Sequence, residues 1–281
     1  MSNILENALK DGKQILKTAG ISSWALDADV LMAHATKMRR EELITNNRYN
    51  LPFEELEAFQ SFIERRRKLS PIAYITNHIE FMGLDFFVNE NVLIPRPDTE
   101  ILVEAVIKHI NESGTEVVLD MCTGSGAIAI SIAHYCPKVK VTAVDISQEA
   151  LEIARLNSEK NNVRIDFIES DMFESVKSSF DIIVSNPPYV SKSEMSLLEA
   201  NVYDYEPHMA LCGGQDGLSY YKILAKARTY LCPEAIMCVE IGAYQKDDVI
   251  DIFKEEDFHL KSSLKDLAGL DRVLIFSENR G

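Results

Sequence analysis

No stretch of this 281-residue chain approaches the ~20 consecutive apolar residues that a bilayer-spanning helix needs. The first ten residues are polar and already helix-patterned, so no secretory leader is expected there. Cysteine is scarce and odd in number. Cys122, Cys136, Cys212, Cys232 and Cys238 fall at no metal-ligand spacing, and they read as free thiols in a reducing cytoplasm. The six histidines form no H-x-x-x-H pair, which argues against a dedicated metal site. Internal repeats and low-complexity tracts are missing too. Basic charge is in deficit, with 29 Lys and Arg against 44 Asp and Glu and a net charge of −15. That balance excludes a protein that grips nucleic acid mainly through its phosphates, though not an enzyme with a small basic patch.

What is present is ordinary for a globular chain: 46% hydrophobic and 26% charged residues. The length suits one large domain or two modest ones. The charge is divided unevenly. Residues 1–70 hold 11 basic and 10 acidic side chains, so the whole acidic excess lies beyond them. Two parts with different surfaces are expected.

The first part reads as helices. Ile4, Leu5, Ala8, Leu9, Ile15, Leu16 and Ala19 recur on one face, and Gly20 is a plausible stop. A second helix is expected to follow Asp27. A third is expected with Pro52 in its first turn and Arg65-Arg66-Arg67-Lys68 at its end, where cations complement the helix dipole. That basic run is either a solvated helix end or a docking patch for an acidic partner. After Pro71, Ile79–Phe81 and Asp85–Val88 read as a hairpin turning at Met82-Gly83-Leu84. Asp98 or Thr99 is expected to cap the helix through Val106.

From residue 116, apolar β-branched runs alternate with amphipathic helical stretches. The strands are Val117–Met121, Val139–Asp145, Ile165–Ile168, Phe180–Ser185, Ala235–Ile241 and Arg272–Phe276. The helices are expected around Ala127–Tyr135, Gln148–Lys160, Leu218–Leu231 and Asp247–Glu256. Such alternation predicts an α/β fold with a mostly parallel sheet. His259–Leu264 and the final strand have no helix between them and should pair antiparallel.

In open sheets of this kind ligands bind at the carboxyl ends of the strands, so those residues carry the chemistry. The first strand runs into Asp120-Met121-Cys122-Thr123-Gly124-Ser125-Gly126-Ala127. Its glycines allow close approach to a ligand and are expected to present helix N-terminal amides to it. The loop is not a dinucleotide fingerprint, and an acid just before it suits a cationic ligand group. Asp145 ends the second strand, where a carboxylate can accept from both ribose hydroxyls. Asp171 follows the third, placed to accept from an adenine amino group, with Met172 against the base. Any one of these is commonly a solvated strand end. Three in succession point to a purine nucleoside.

The fourth strand delivers Asn186-Pro187-Pro188-Tyr189. Two prolines stiffen the backbone and remove two N–H donors. The Asn186 side-chain oxygen and the Pro187 carbonyl remain as acceptors beside an aromatic ring, a site for a planar group bearing NH₂.

Together, the Asp120–Ala127 loop, Asp145 and the N-P-P-Y tetrapeptide resemble the Rossmann-like class I S-adenosylmethionine-dependent methyltransferases. Further stretches narrow the resemblance to the release factor glutamine methyltransferases (the PrmC/HemK family). They are Val92–Glu100, Glu206-Pro207, Ala210-Leu211, Gly213–Leu218, Lys265–Gly269 and Asp271–Val273. The resemblance covers nearly the whole chain. It implies a helical substrate-docking domain (1–72), a hairpin linker (73–94) and a methyltransferase domain (95–281).

Cofactor residues implied are Asp120, Cys122, Thr123, Gly124, Ser125, Gly126, Asp145, Asp171, Met172 and Asn186. Asn186, Pro187, Pro188 and Tyr189 would hold the acceptor, with Asn186, Pro187 and Tyr189 catalytic. The implied donor is S-adenosylmethionine, with no metal. The implied partner is a peptide chain release factor, met in the cytoplasm by a monomer that engages neither nucleic acid nor membrane. Three positions depart from the family pattern: Cys122 and Asn77 replace glycine, and Met172 replaces a frequent aromatic. The amide nitrogen is a poor nucleophile, so rate should come from positioning and electrostatics, with no titrating base.

Overall fold

The structure is a computed structural model that describes residues 3–278. Its contacts divide the chain into two compact units, Met1–Asn77 with Glu199–Tyr205, and His78–Leu198 with Glu206–Gly281. The hairpin therefore clusters with the larger unit. Residues 199–205, which the sequence placed in the methyltransferase part, cluster with the helical one.

The helical unit contains α1 (Leu5–Thr18), α2 (Trp24–Thr36), α3 (Arg40–Thr45), α4 (Phe53–Arg67) and α5 (Ile72–Thr76). Leu5, Ala8, Leu16, Leu31, Met32, Phe59 and Ile63 are all buried in one cluster, as the periodicity requires. Gly12 costs α1 some intrinsic stability but answers to packing, because a Cβ there would lie 2.6 Å from Phe59 Cζ on α4. Gly20 adopts φ +79°, the left-handed stop.

Three sequence expectations shift in this unit. Pro52 is the N-cap of α4 rather than a residue of its first turn. Helix α2 begins at Trp24, three residues before Asp27. Asp27 itself is buried in a 2.7 Å ion pair with Arg66 Nε, while Arg65 Nη2 donates to the Tyr74 carbonyl at 3.0 Å. Arg66 thus holds the unit together from within, while Arg65, Arg67 and Lys68 stay exposed at the helix end.

The larger unit opens with the hairpin β1 (Ile79–Phe81) and β2 (Leu84–Phe86), turning through Met82 and Gly83 at φ +52° and +70°. Helix α6 (Pro97–Ser113) starts two or three residues earlier than expected, with Arg96 as N-cap and proline at the first helical position. Asp98 and Thr99 are therefore inside the first turn, and neither caps it.

Next come β3 (Val117–Met121), α7 (Ala127–Tyr135), β4 (Lys140–Asp145), α8 (Gln148–Lys160), β5 (Asp166–Glu169) and β6 (Phe180–Ser185). Three short helices follow, α9 (Lys192–Met195), α10 (Ala200–Tyr203) and α11 (His208–Leu211), none of which the periodicity revealed. The helix expected over 218–231 is broken into α12 (Ser219–Leu224) and a 3₁₀ turn (Ala227–Tyr230). The chain ends with β7 (Leu231–Glu240), α13 (Lys246–Glu255), β8 (Phe258–Lys265) and β9 (Asp271–Glu278).

The strands form one seven-stranded sheet in the order β5-β4-β3-β6-β7-β9-β8. Strand β9 runs antiparallel to both neighbours, and every other pair is parallel. Two buried clusters cover the two faces, which explains why β3, β6 and β7 are mostly apolar rather than alternating. Strand order reverses at β3, between β4 and β6, so a crevice opens at their carboxyl ends.

Candidate active site

The crevice holds about 780 Å³ of empty space, part of it open to solvent. Cys122, Gly124, Asp145, Asp171, Met172, Asn186 and Pro188 all line it, carried there by four adjacent strand ends. Asp120, Thr123, Ser125 and Gly126 lie behind that wall and shape it.

Asp120 is fully buried at the end of β3. Its Oδ2 accepts from Thr123 Oγ1 at 2.6 Å and from the Ala129 amide at 3.1 Å, while Oδ1 has no partner. Burial pushes this carboxyl up to about 7, with Asp145 adding to the effect. An anionic oxygen left unpartnered in the interior is costly unless something cationic meets it.

Asp145 accepts from the amides of Gly124 at 2.8 Å and Ser147 at 3.0 Å, one on each oxygen. The Ile146 amide supports the same carboxylate. Burial raises its pKa against the pull of those backbone bonds.

The loop amides are largely spent within the protein, contrary to the expectation that they face a ligand. Gly124 donates to Asp145, Thr123 to the Val144 carbonyl, and Gly126 to the Thr123 carbonyl. Gly126 is needed for packing, since a Cβ there would approach the Ala154 backbone to 3.3 Å at φ +81°. Cys122 takes φ +64°, the conformation for which glycine is usual, and Met172 takes φ +46°. Their sulfurs lie 3.8 Å apart. Desolvation, reinforced by Asp145 and Asp120, holds the Cys122 thiol far above its ordinary value, so it stays protonated. Asn77 likewise is left-handed, at φ +52°.

Sequence reasoning missed the far wall, made by Asn91, Val92, Leu93, Pro207, Met209, Ala210 and Tyr220. Its brace is Glu206, 4% exposed, which accepts from the Ile94 amide at 3.2 Å and pairs with Arg96. The only signal for this was the pair of short motifs containing those residues.

At the acceptor end, Ser185 Oγ ties β6 to the Met121 carbonyl at 2.7 Å, and Pro187 and Pro188 are buried. The strand of chain after Tyr189 packs backbone to backbone against the Gly213–Gly217 loop. The Val190 amide donates to Leu211 at 2.9 Å, and the Gly213 amide to Val190 at 2.8 Å. A Cβ on Gly213 would lie 2.6 Å from the Pro188 carbonyl oxygen, and one on Gly217 would lie 2.4 Å from that of Tyr189. Gln245 Nε2 donates to the Tyr189 carbonyl at 2.9 Å. These glycines and Gln245 clamp the tetrapeptide, and periodicity could not show it. Burial, then the Glu240 carboxylate, push the Tyr189 phenol up to about 12, so it serves as a neutral ring.

Among the described residues no group of three or more His, Cys, Asp or Glu is gathered as a metal would require, and no helix is long and apolar enough to cross a membrane.

A crevice at the switch point of this sheet, with an acid on each of three strand ends and N-P-P-Y on the fourth, defines a Rossmann-like methyltransferase. Comparison with known proteins agrees. Residues 97–202 match the family described as Methyltransferase small domain, and residues 7–76 match the PrmC N-terminal domain. The release factor glutamine methyltransferase of Clostridium acetobutylicum is 40% identical over 277 residues, covering 96% of this chain and 97% of its own. That of Agrobacterium fabrum is 37% identical, covering 93% of each. A methyltransferase structure from Pyrococcus furiosus superposes with a TM-score of 0.53 at 24% identity, over 69% of this chain and 88% of that one, and speaks to fold alone. The chain belongs to the release factor glutamine methyltransferase family.

Proposed function

We propose that this enzyme transfers a methyl group from S-adenosylmethionine to the side-chain amide nitrogen of the glutamine in the Gly-Gly-Gln motif of peptide chain release factors. The observation that carries the reading is the clamped N-P-P-Y tetrapeptide, whose Asn186 and Pro188 line the crevice beside Asp145 and Asp171.

The crevice residues fit the donor. Behind the wall Asp120 keeps an unpartnered buried oxygen whose charge a nearby cationic group would favour, Asp145 presents its carboxylate to ribose hydroxyls, and Asp171 is placed to take an adenine amino hydrogen with Met172 against the ring. When bound, S-adenosylmethionine supplies an electrophilic methyl group on a sulfonium centre.

The protein supplies the geometry. Asn186 Oδ1 and the Pro187 carbonyl each accept one acceptor-amide hydrogen, turning the nitrogen toward the methyl group and favouring positive charge on it. Tyr189 packs on the amide plane. Transfer of that methyl group to the nitrogen would release one amide proton to water, with no side chain needed to remove it.

The helical unit docks the protein acceptor. With Arg66 spent internally, the contact extends beyond the basic run to the groove between Leu9, Lys10, Lys13, Trp24 and the exposed Ile44. Ile44→Asp with Lys10→Glu should raise KM for release factor and leave cofactor binding unchanged.

Incubation with methyl-labelled S-adenosylmethionine and release factor, its Gln→Ala variant, DNA or RNA tests the whole reading. Label on the wild-type factor alone supports it, and label on nucleic acid overturns it.

A further inference from the structure

Glu240 is the last residue of β7 and is 2% exposed. The parallel register pairs Val239 with Ser185, so Glu240 and Asn186 leave adjacent strands one residue later, side by side. The carboxylate faces the side chains of Thr99 and Asn186, both of which favour its charged form, and its Oε2 has no partner. Asn186 Nδ2 donates to Thr99 Oγ1 at 3.2 Å, and Thr99 is itself 4% exposed. Tyr221 fixes the backbone behind Glu240, its hydroxyl donating to the Glu240 carbonyl at 2.8 Å.

The polarity of this chain of bonds decides what Asn186 can do. Its amide has one acceptor oxygen and one donor nitrogen, and only the oxygen can receive a hydrogen from an incoming NH₂. A hydroxyl such as that of Thr99 donates or accepts with equal ease and cannot choose between the two flips. An ionised carboxylate accepts only. With Glu240 anionic, Thr99 must donate to it and accept from Asn186 Nδ2, which turns Asn186 Oδ1 outward.

We propose that Glu240 is the positioning residue of the acceptor site, setting through Thr99 the orientation in which Asn186 offers its oxygen to the acceptor amide. The inference rests on the acceptor role of Asn186 given above. Glu240 lies behind Asn186 and removes no proton from the acceptor. In its anionic form it also polarises the Asn186 amide, strengthening Oδ1 as an acceptor while positive charge builds on the attacking nitrogen.

Protonation would let Glu240 donate and so reverse the chain. Burial pushes this carboxyl up to about 7, opposed by the Thr99 hydrogen bond, the Arg272 guanidinium on β9 and the Asn186 bond, and aided by Asp98 on α6. Tyr189 and Tyr221, the other titratable groups that face it, are held neutral by their own burial.

The test is steady-state methylation of release factor across pH 5.5–8.5. In the wild type kcat should fall as pH drops through about 7, with KM for the factor changing less. Glu240→Gln should lower kcat by about 10-fold to 10²-fold, the cost of a misplaced group, and flatten the acid limb. Its affinity for S-adenosylmethionine, read by calorimetry, should stay unchanged.

Thr99→Val should reproduce the loss and Thr99→Ser should restore activity, which keeps the test alive if Glu240→Gln does not fold. Independently of turnover, the Asn186 side-chain amide resonances in ¹⁵N NMR should shift with pH in the wild type and cease to do so in Glu240→Gln. An acid limb that survives in Glu240→Gln, wild-type kcat in Thr99→Val, or Asn186 resonances indifferent to pH would overturn the inference. The glutamine reading fails on a different result, a wild type that labels no release factor.

Discussion

The two ends of the crevice are built in different ways. At the cofactor end, three carboxylates stand on three strand ends, Asp120 retains a buried oxygen with no partner, and two non-glycine residues sit in left-handed backbone. Charge is left open there, to be met by a ligand. At the acceptor end the backbone that carries the tetrapeptide is tied down, by Ser185, by Gln245 and by backbone-to-backbone packing against Gly213 and Gly217, and the open buried oxygen, Glu240 Oε2, lies behind it. One end gains when something binds; the other has its backbone fixed before anything arrives. Cofactor affinity and chemical rate should therefore respond to different substitutions.

The largest effect should come from the acceptor end. Asn186→Ala should cut kcat by about 10²-fold or more, as loss of a charge-stabilising partner commonly does, with cofactor affinity within a few-fold. A comparable loss in affinity would break the separation of the two ends. Gly213→Ala should come next. Its methyl group would press on the Pro188 and Gly217 carbonyls, costing about 1–3 kcal/mol in urea denaturation and displacing the tetrapeptide enough to slow turnover.

Asp145→Asn should act on the other side alone. It should weaken S-adenosylmethionine binding by roughly 10-fold, with kcat at saturation kept, if one charge-assisted hydrogen bond is lost.

Stability against pH sharpens the comparison further. Asp120 and Glu240 are both pushed up to about 7 in the folded state, so each contributes stability that is complete below the ordinary carboxyl range. That contribution is lost as pH rises to about 7, at up to about 1.4 kcal/mol per pH unit per group. The melting temperature should therefore fall between pH 5 and pH 8, and Asp120→Asn should reduce that fall.

The smallest effect belongs to Cys122→Gly. Relieving a left-handed residue should stabilise the fold by up to about 1 kcal/mol and leave cofactor affinity nearly unchanged.

How legible each end was in the sequence follows the same division. Strand ends announce themselves, because a buried β-run that stops at Asp120, Asp145 or Asn186 shows both the strand and the residue it delivers. The parallel sheet and its antiparallel final strand were readable for that reason. The walls and clamps were not. Gln245 and Tyr220 act through tertiary contacts with residues remote in the chain, and nothing in local periodicity marks them; Glu240 ends the buried run of β7, but the expected strand ran on to Ile241 and hid it. The helix read over 218–231 failed because its apolar spacing continues past Ala225, where the chain tightens to a 3₁₀ turn to enter β7 at Leu231. The basic run at Arg65–Lys68 misled in a related way: charge at a helix end reads as surface, yet Asp27, far off in sequence, draws Arg66 inward.

The helical unit is not contiguous, and this bears on how the chain is made. Residues 199–205 cluster with it, and the Tyr205 hydroxyl donates to the Lys68 carbonyl near the end of α4. During synthesis the N-terminal helices leave the ribosome long before that segment exists. They must wait with part of their contact set missing while most of the sheet is still being translated. The order of emergence therefore makes completion of the N-terminal unit a late event, coupled to synthesis of the loop that follows the N-P-P-Y strand.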